Sequence, residues 1–451
     1  MKKPLFTIIT LAACALAPAC TSMLDDIKPK HAIPSESLTD DDLGKLTNGV
    51  LYQMEDLTVA AWFDGDFLAE NFGDGPGFTY SDVHADTASA SSAKAKSRWQ
   101  AAFTRLNAVN ELLAAANKAS ASAAATEAKG TAYFCRAYIY YMLVTRFGNV
   151  PLITEPTNET IAISEQSKVW ARVAEDFKSA AEYLDRFRSI HFPSKEACYA
   201  MLAKVSLWLG DTEAAVSYAD MVFASGRFKP ATTSVEWASM FVAGTSGSEI
   251  IFALANERSS SYLRLFESTN DTDGSWNYSA PAEIFYGLYA DNAVKGGDIR
   301  KDPTFNENEP SRIIKFPNGN MSLGQFIDNN APSSSPIVLL RLADVYLTKA
   351  EAQGNTDDGK ATLEEFMGFR YGNLALPESM TDREFENMLL DENQREFYAE
   401  GRRWFDIKRT GRTDLYKEWN GRDHLLLWPI PQDERDLAGH DRYPQNPGYA
   451  E

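Results

Sequence analysis

Apolar residues recur along this chain at the spacing of one helix face, and a short break follows each block. The clearest example is residues 195–224, KEACYAMLAKVSLWLGDTEAAVSYADMVFA. The pattern predicts one helix that runs to Leu209, a turn at Gly210 and a second helix that begins near Thr212. Small residues in the second block, such as Ala215, let two helices approach closely, as in tetratricopeptide (TPR) repeats. A helical hairpin is therefore the predicted building unit.

A second hairpin is predicted over 337–369, where an apolar face is interrupted at Gly354 and then returns. Single blocks with the same spacing lie at 99–113, 132–143 and 169–184. Repeated units of this kind bury their apolar faces by stacking on one another. The sequence therefore predicts an all-α fold, a superhelix of TPR-like helix pairs with long irregular loop insertions.

The helical period fades over two segments, which we call the first excursion (62–92) and the second excursion (225–336). Gly, Ser, Asn, Asp and Pro become frequent there, together with short runs of aromatic residues. Long irregular insertions on a helical frame commonly carry binding sites. We therefore expect the ligand-binding surface on these two excursions.

The N-terminal residues have the pattern of an export signal. Lys2 and Lys3 precede an almost uncharged apolar run, Leu5 to Ala17, that is too short to span a bilayer. Cys14 and Cys20 each follow a small residue, which is what bacterial lipoprotein processing requires. These residues leave open which cysteine is used, or whether an ordinary signal is removed without lipidation.

Charge and side-chain types exclude several classes of function. The formal net charge of −19 disfavours a nucleic-acid partner, because phosphates would be repelled. Cys135 and Cys198 lie in apolar helical patterns and are expected to be buried, unpaired thiols. No His or Cys spacing is typical of a metal or cofactor site. The sequence therefore predicts neither a metal nor a cofactor.

The segment EFYAEGRRWFDIKRTG, residues 396–411, concentrates charges that could be taken for a catalytic site. On a helix, Glu396 and Glu400 would share a face, and two carboxylates on one rigid element do not readily flank a glycosidic bond. We therefore expect ion pairs that fix the C-terminal helices, with Gly401 allowing close helix contact or a local break. No enzymatic activity is predicted. Residues 428–431, WPIP, are expected to form an extended structural strap.

Six stretches, in order along nearly the whole chain, carry a family resemblance. They are Cys20 to Pro29, WQAAFTRLNAVNELL at 99–113, FCRAYIYYMLVTRFGNVPL at 134–152, LRLADVYLTKAEA at 340–352, EFYAEGRRWFDIKRTG at 396–411 and WPIPQDERDLAGHDRYPQNPGY at 428–449. Together they resemble the SusD/RagB family, the surface lipoproteins of Bacteroidota that serve TonB-dependent nutrient transporters.

The resemblance implies a choice between the two cysteines. In the family, a Leu-Asp pair follows the anchor cysteine closely, and Leu24-Asp25 lies four residues after Cys20. The implied organisation is a lipoprotein signal peptide at 1–19, a lipidated tether at 20–42 and one SusD-like α-helical domain at 43–451. The resemblance places the protein at the outer membrane, held by its lipid and facing the cell exterior.

The resemblance also implies a function and a site. The function is non-catalytic binding of an oligosaccharide or polysaccharide and its delivery to a SusC-like TonB-dependent transporter. An alternative within the same fold is RagB-like binding of oligopeptides. In SusD-like proteins the glycan lies on an aromatic shelf built from two irregular regions, so the resemblance assigns the site here by region. The candidate ligand-binding residues are Phe78, Tyr80, Asp82, Trp276, Asn277 and Tyr278.

Overall fold

A computed structural model provides the structure of the chain. The residues it describes are 38–74, 87–242, 247–257, 278–289, 297–306, 308, 310–316, 335–372, 375–415, 419 and 421–449. Their helices are α1 (Asp40–Leu68), α2 (Ala93–Lys118), α3 (Ala123–Phe147), α4 (Gln166–Tyr183), α5 (Lys195–Trp208), α6 (Thr212–Ala224), α7 (Ser234–Ser239), α8 (Lys301–Thr304), α9 (Leu342–Gln353), α10 (Asp357–Tyr371), α11 (Asp382–Glu396), α12 (Arg403–Thr410) and α13 (Gln432–Ala438). Their strands are β1 (Gly73–Asp74), β2 (Val150–Pro151), β3 (Ile163–Ser164), β4 (Ile250–Leu254), β5 (Tyr278–Ser279) and β6 (Ile337–Arg341).

The helices form a frame in which neighbours in sequence pack on one another. Helix α3 lies against α1, α2 and α4, and α5 lies between α4 and α6. Helix α6 also contacts α9, which pairs with α10. The buried apolar side chains of α1 to α6 belong to one core cluster, and a smaller cluster holds α9, α10 and α11 together. The predicted all-α, TPR-like fold is confirmed.

Both predicted hairpins are present. The chain turns between α5 and α6 at Gly210, which has a φ of +73°, and Ala215 and Ala219 are fully buried. In the second hairpin, α9 ends at Gly354, as the sequence predicted. The start of that hairpin was predicted wrongly, because Leu339 lies in strand β6 and the helix begins only at Leu342.

The first excursion begins later than its composition predicted. Thr39 caps α1 through a reciprocal capping box, with the Asp42 N–H donating to Thr39 Oγ1 at 3.2 Å. The helix then continues to Leu68, so 62–68 is helical rather than irregular. All of its last seven residues are buried. The segment is WFDGDFL, and its two Asp and one Gly are residue types typical of turns, which is why its composition indicated a loop.

The second excursion contains regular structure that its composition concealed. Helix α7 and strand β4 both lie inside 225–336. Strand β4 is the run IIFAL, buried at every position, and it pairs antiparallel with β6. A short continuous apolar run is ambiguous between helix and buried strand, which explains why the sequence did not reveal it. In the part of the chain that the structure describes, no helix is both long and apolar enough to cross a bilayer.

Candidate functional site

The two excursions are joined where they leave the frame. Strands β1 and β5 form an antiparallel pair, with Gly73 opposite Ser279 and Asp74 opposite Tyr278. Asp74 is the last described residue before 75–86, and Tyr278 is the first described residue after 258–277. The pairing therefore holds residue 74, at the start of segment 75–86, beside residue 278, at the end of segment 258–277.

Tyr278 belongs to the aromatic core beneath this strand pair. Its side chain is only 2% exposed. Its ring centroid lies 5.2 Å from that of Phe63, 5.0 Å from that of Phe67 and 5.8 Å from that of Phe72. Such ring packing stabilises the base of the excursions and leaves Tyr278 enclosed. Of the six predicted ligand-binding residues, this one serves as an anchor in the described structure rather than as an open platform.

The other predicted site residues stay predictions. They fall outside the described residues and are Phe78, Tyr80, Asp82, Trp276 and Asn277. The predicted lipidation site, Cys20, also lies outside them.

An exposed aromatic residue that the sequence analysis did not single out follows strand β5 in the chain. Tyr286, on a π-helical turn at Glu283–Leu288, is 68% exposed. Its ring lies edge-on to that of Phe285, with centroids 4.9 Å apart, and Phe285 in turn packs on Phe305, with centroids 5.2 Å apart. No periodic pattern in EIFYGL distinguishes the exposed ring from its neighbour.

A hydrogen-bonded carboxylate fixes the base of the first excursion to the C-terminal part of the chain. Asp66 accepts from Asn71 Nδ2 at 2.8 Å and from the Gly401 N–H at 2.6 Å. The Tyr398 hydroxyl donates to the Asn71 carbonyl at 2.8 Å. Burial raises the pKa of Asp66 to about 7, although both hydrogen bonds oppose the rise. The chain that leads into β1 is thus clamped at both ends.

The charged segment 396–411 is a structural network, as predicted. Glu396 is fully buried and accepts from Arg300 Nη1 at 2.7 Å, from Arg370 Nε at 2.9 Å and from Arg341 Nη1. Glu400, 2% exposed, is paired with Lys315 at 2.6 Å. Carboxylates enclosed in this way hold the C-terminal helices to the frame.

The geometry of that segment differs from the expected helix. Helix α11 ends at Glu396, and Ala399 and Gly401 both have positive φ, so Glu396 and Glu400 do not share a helix face. A Cβ on Gly401 would lie 2.3 Å from Trp62 Cα. Both of the alternatives predicted for Gly401, close helix contact and a local break, are therefore present.

The predictions for the WPIP strap and for the two body cysteines are also confirmed. Trp428 and Ile430 of the WPIP strap are buried, and the Trp428 N–H donates to the Arg146 carbonyl at 2.7 Å. Cys135 and Cys198 are buried, unpaired thiols. Within the described ranges, no group of three or more His, Cys, Asp or Glu side chains is arranged to hold a metal ion.

Solved structures share this fold. NanU of Bacteroides fragilis superposes with a TM-score of 0.74 at 19% sequence identity, covering 94% of this chain and 100% of NanU. A SusD-like carbohydrate binding protein from Bacteroides vulgatus superposes with a TM-score of 0.66 at 21% identity, covering 82% of this chain and 83% of that one.

Sequence comparisons agree with the structural ones. SusD-like protein P2 of Formosa agariphila is 27% identical over 416 residues, which covers 78% of this chain and 80% of that protein. Residues 27–207 match a SusD-like family described as "Starch-binding associating with outer membrane", and residues 296–425 match the SusD family itself. These two matches together span more than half of the chain. They follow one another along the sequence, as the six stretches that carry the resemblance do. The chain belongs to the SusD/RagB family.

Proposed function

We propose that this protein binds a glycan, without catalysing its cleavage, on a surface formed by the two excursions. The observation that carries the proposal is the β1–β5 pairing, which holds residue 74 beside residue 278. Tyr80 is six residues from one strand and Trp276 is two residues from the other. An extended chain spans at most about 3.6 Å per residue, so both side chains stay within reach of one oligosaccharide.

The residue types in this region suit a sugar. The axial C–H face of a pyranose packs on an aromatic ring, and its hydroxyl groups need fixed polar partners. Tyr80, Trp276 and the exposed Tyr286 supply rings, while Asp82 and Asn277 supply hydrogen-bonding groups. The family match and the SusD-like carbohydrate binding protein among the structural neighbours support the same ligand class.

Family membership also supports a partner and a location. Proteins of this family are associated with the outer membrane. We infer that this one is lipidated at Cys20, faces the cell exterior and delivers its glycan to a SusC-like TonB-dependent transporter. Binding to the glycan can be weak, because tethering beside the transporter raises the effective concentration without any new contact.

A second candidate ligand is an oligopeptide, as in RagB-like members of the family. The formal net charge of −19 favours this candidate for basic peptides. Mass spectrometry of the purified protein distinguishes the two ligands. A co-purifying peptide together with no binding of any glycan would favour the peptide, and glycan binding without a peptide would favour the main proposal.

The direct test is calorimetry with representatives of the main polysaccharide classes. We expect saturable binding to one class, and at least about a fivefold loss of affinity in Tyr286→Ala, because a stacking ring contributes about 1 kcal/mol. Tyr52→Ala is the control, since Tyr52 is also exposed, at 42%. It lies on α1 sixteen residues, or about 24 Å, before Leu68. No binding to any class would overturn the proposal.

The proposed anchor has its own test. Intact-mass measurement of the protein extracted from membranes is expected to give an acylated chain that begins at Cys20. Cys20→Ser is expected to abolish acylation, whereas Cys14→Ser leaves the mature mass unchanged because that residue is removed with the signal. A mature chain that begins elsewhere, or that carries no lipid, would contradict the assignment.

A further inference from the structure

A cleft of about 100 Å³ opens between helices α3, α5, α9 and α12 of the frame. Its rim carries half-buried aromatic side chains, of which Tyr138, Tyr141, Trp208 and Phe405 line the opening. Trp208 is held in place, because its Nε1–H donates to the Tyr141 hydroxyl at 3.3 Å. The cleft therefore offers fixed rings that a ligand can reach.

Most charges in the cleft are paired with each other. Asp344 accepts from Lys204 Nζ at 2.8 Å and also from Arg402 Nη1. Arg409 Nη2 donates to Glu351 at 2.9 Å and lies 3.4 Å from Asp406. Glu400 also lines the cleft, and it is committed to Lys315 and Arg341. These groups form closed ion pairs and leave no carboxylate for a further cation.

Arg146, on the inner wall, is a cation without such a partner. It is 5% exposed, and it donates to the carbonyls of Met142 at 3.1 Å and Ala61 at 3.0 Å. Its Nε–H has no acceptor among the described residues. The nearby Asp64 is held by two hydrogen bonds from Arg98, at 2.5 and 3.0 Å. The positive charge of Arg146 is thus buried, and the carboxylate that acts on it, Asp64, is already bound by Arg98.

A second cation reinforces this excess of positive charge. Lys408 donates from Nζ to the carbonyl of Thr145, a cleft residue, at 2.6 Å, and the described structure gives it no carboxylate partner. Burial, and then the charge of Arg146, lower the pKa of Lys408 to about 7. A buried charge is stable only when it is paired, so this corner favours a negative group.

We propose that the cleft is a second binding site and that it takes a compact organic anion, a carboxylate carried on a ring. Arg146 supplies the counter-charge from the inner wall, and the rings of Tyr141 and Trp208 pack on the ligand's skeleton. A single acidic sugar ring, such as a uronic acid, has this chemistry and about the required size. The site does not depend on the proposed glycan surface, because its lining residues lie on the frame.

The test uses calorimetry with D-glucuronate and D-glucose at one ionic strength. The protein carries Tyr80→Ala, Trp276→Ala and Tyr286→Ala, so that binding at the excursions does not contribute. We expect saturable binding of glucuronate at pH 6.5, and an affinity for glucose at least about tenfold lower, since glucose lacks the charge that the buried cations attract. Equal affinity for the two sugars, or no saturable heat from either, would overturn the proposal.

Proton uptake gives an independent measurement that needs no substitution of a cleft residue. A bound anion favours the charged form of Lys408, so glucuronate binding at pH 7.5 is expected to take up protons. Titrations in two buffers with different ionisation enthalpies measure this uptake. Binding that takes up no protons would contradict the assigned position of the anion.

Variants complete the test. Arg146→Gln is expected to weaken glucuronate binding at least about tenfold. Arg188→Gln, in an exposed ion pair with Glu127 away from the cleft, is expected to change nothing. If Arg146→Gln fails to fold, Lys408→Met is expected to weaken binding and to abolish proton uptake, with Lys349→Met as its control. Unchanged affinity and uptake in Lys408→Met would also overturn the proposal.

Discussion

Asp74 and Tyr278 face each other across an antiparallel strand pair, although they lie in different halves of the chain. Everything proposed about the glycan surface depends on this relationship. The pairing is short, so the aromatic packing of Tyr278 against Phe63, Phe67 and Phe72 must supply much of its stability. The pairing therefore holds the start of segment 75–86 beside the end of segment 258–277.

Tyr278 and Tyr286 are expected to contribute differently to the stability of the folded protein. Tyr278→Ala removes a buried ring and is expected to lower the free energy of unfolding by about 3–5 kcal/mol. Tyr286→Ala removes an exposed ring and is expected to change it by at most about 0.5 kcal/mol. Denaturant unfolding followed by circular dichroism measures both. Equal losses of stability in the two variants would contradict the assignment of Tyr278 as a buried anchor and of Tyr286 as an exposed platform.

Two glycines with similar backbone angles provide a matched comparison. Gly401 and Gly411 have φ of +74° and +70°, but only at Gly401 does an added Cβ meet backbone, that of Trp62. Gly411→Ala is expected to cost about 1 kcal/mol, from the left-handed conformation alone. Gly401→Ala is expected to cost at least twice as much in chemical denaturation. Similar costs would mean that α1 and the 401 turn are not in close contact.

The buried network makes stability depend on acid. Burial raises the pKa of Glu396, but the charges of Arg370, Arg341 and Arg300 outweigh it and hold that pKa well below the usual 4.5. The stabilisation is therefore present above pH 4.5 and is lost as the pH falls through the pKa of the folded state. Glu396→Gln is expected to lower the free energy of unfolding at pH 7 by about 3–5 kcal/mol, and by less in acid.

Unfolding by urea at several pH values measures this dependence. The control is Glu213→Gln, an exposed carboxylate on α6, for which a change of at most about 0.5 kcal/mol is expected. A deficit in Glu396→Gln that is the same at pH 7 and in acid would show that Glu396 is not the titrating group.

Asp66 is expected to show the opposite dependence. Its pKa is about 7 in the folded state against 3.8 when exposed, so the neutral carboxyl is favoured by folding. The corresponding stabilisation is complete below pH 3.8 and is lost as the pH rises through 7. The unfolding free energy of the wild type, measured relative to Asp66→Asn, should therefore fall between pH 5 and pH 8. A constant or rising difference would contradict this environment for Asp66.

The helical frame was predicted well because the sequence features that indicate helices and turns are local. The turn at Gly210 and the apolar spacing in α5 and α6 depend on neighbours in the chain, and the structure places them as expected. Strand β4 was missed because its run IIFAL is buried at every position and carries no periodicity that distinguishes strand from helix. The helical end of α1 was missed because Asp64, Gly65 and Asp66 are residue types typical of turns.

The location of the ligand site stays a prediction, and the contacts at the base of the excursions could not be predicted from the sequence. Short strands such as β1 and β5 have no sequence signature, and their pairing depends on packing across the fold. Tyr278 therefore could not be distinguished from Trp276 and Asn277, its neighbours in sequence. Likewise, helical spacing does not reveal that Arg146 forms no ion pair with a carboxylate among the described residues, since a carboxylate partner would have to come from another helix.

The central claim is that both excursions contact one bound glycan. Calorimetry with the glycan class that binds, on Tyr80→Ala, Trp276→Ala and the double variant, tests it most directly. We predict that each single variant loses at least about fivefold in affinity, and that the double variant shows coupling between the two changes. Wild-type affinity in both single variants would show that the glycan, if bound, is held elsewhere.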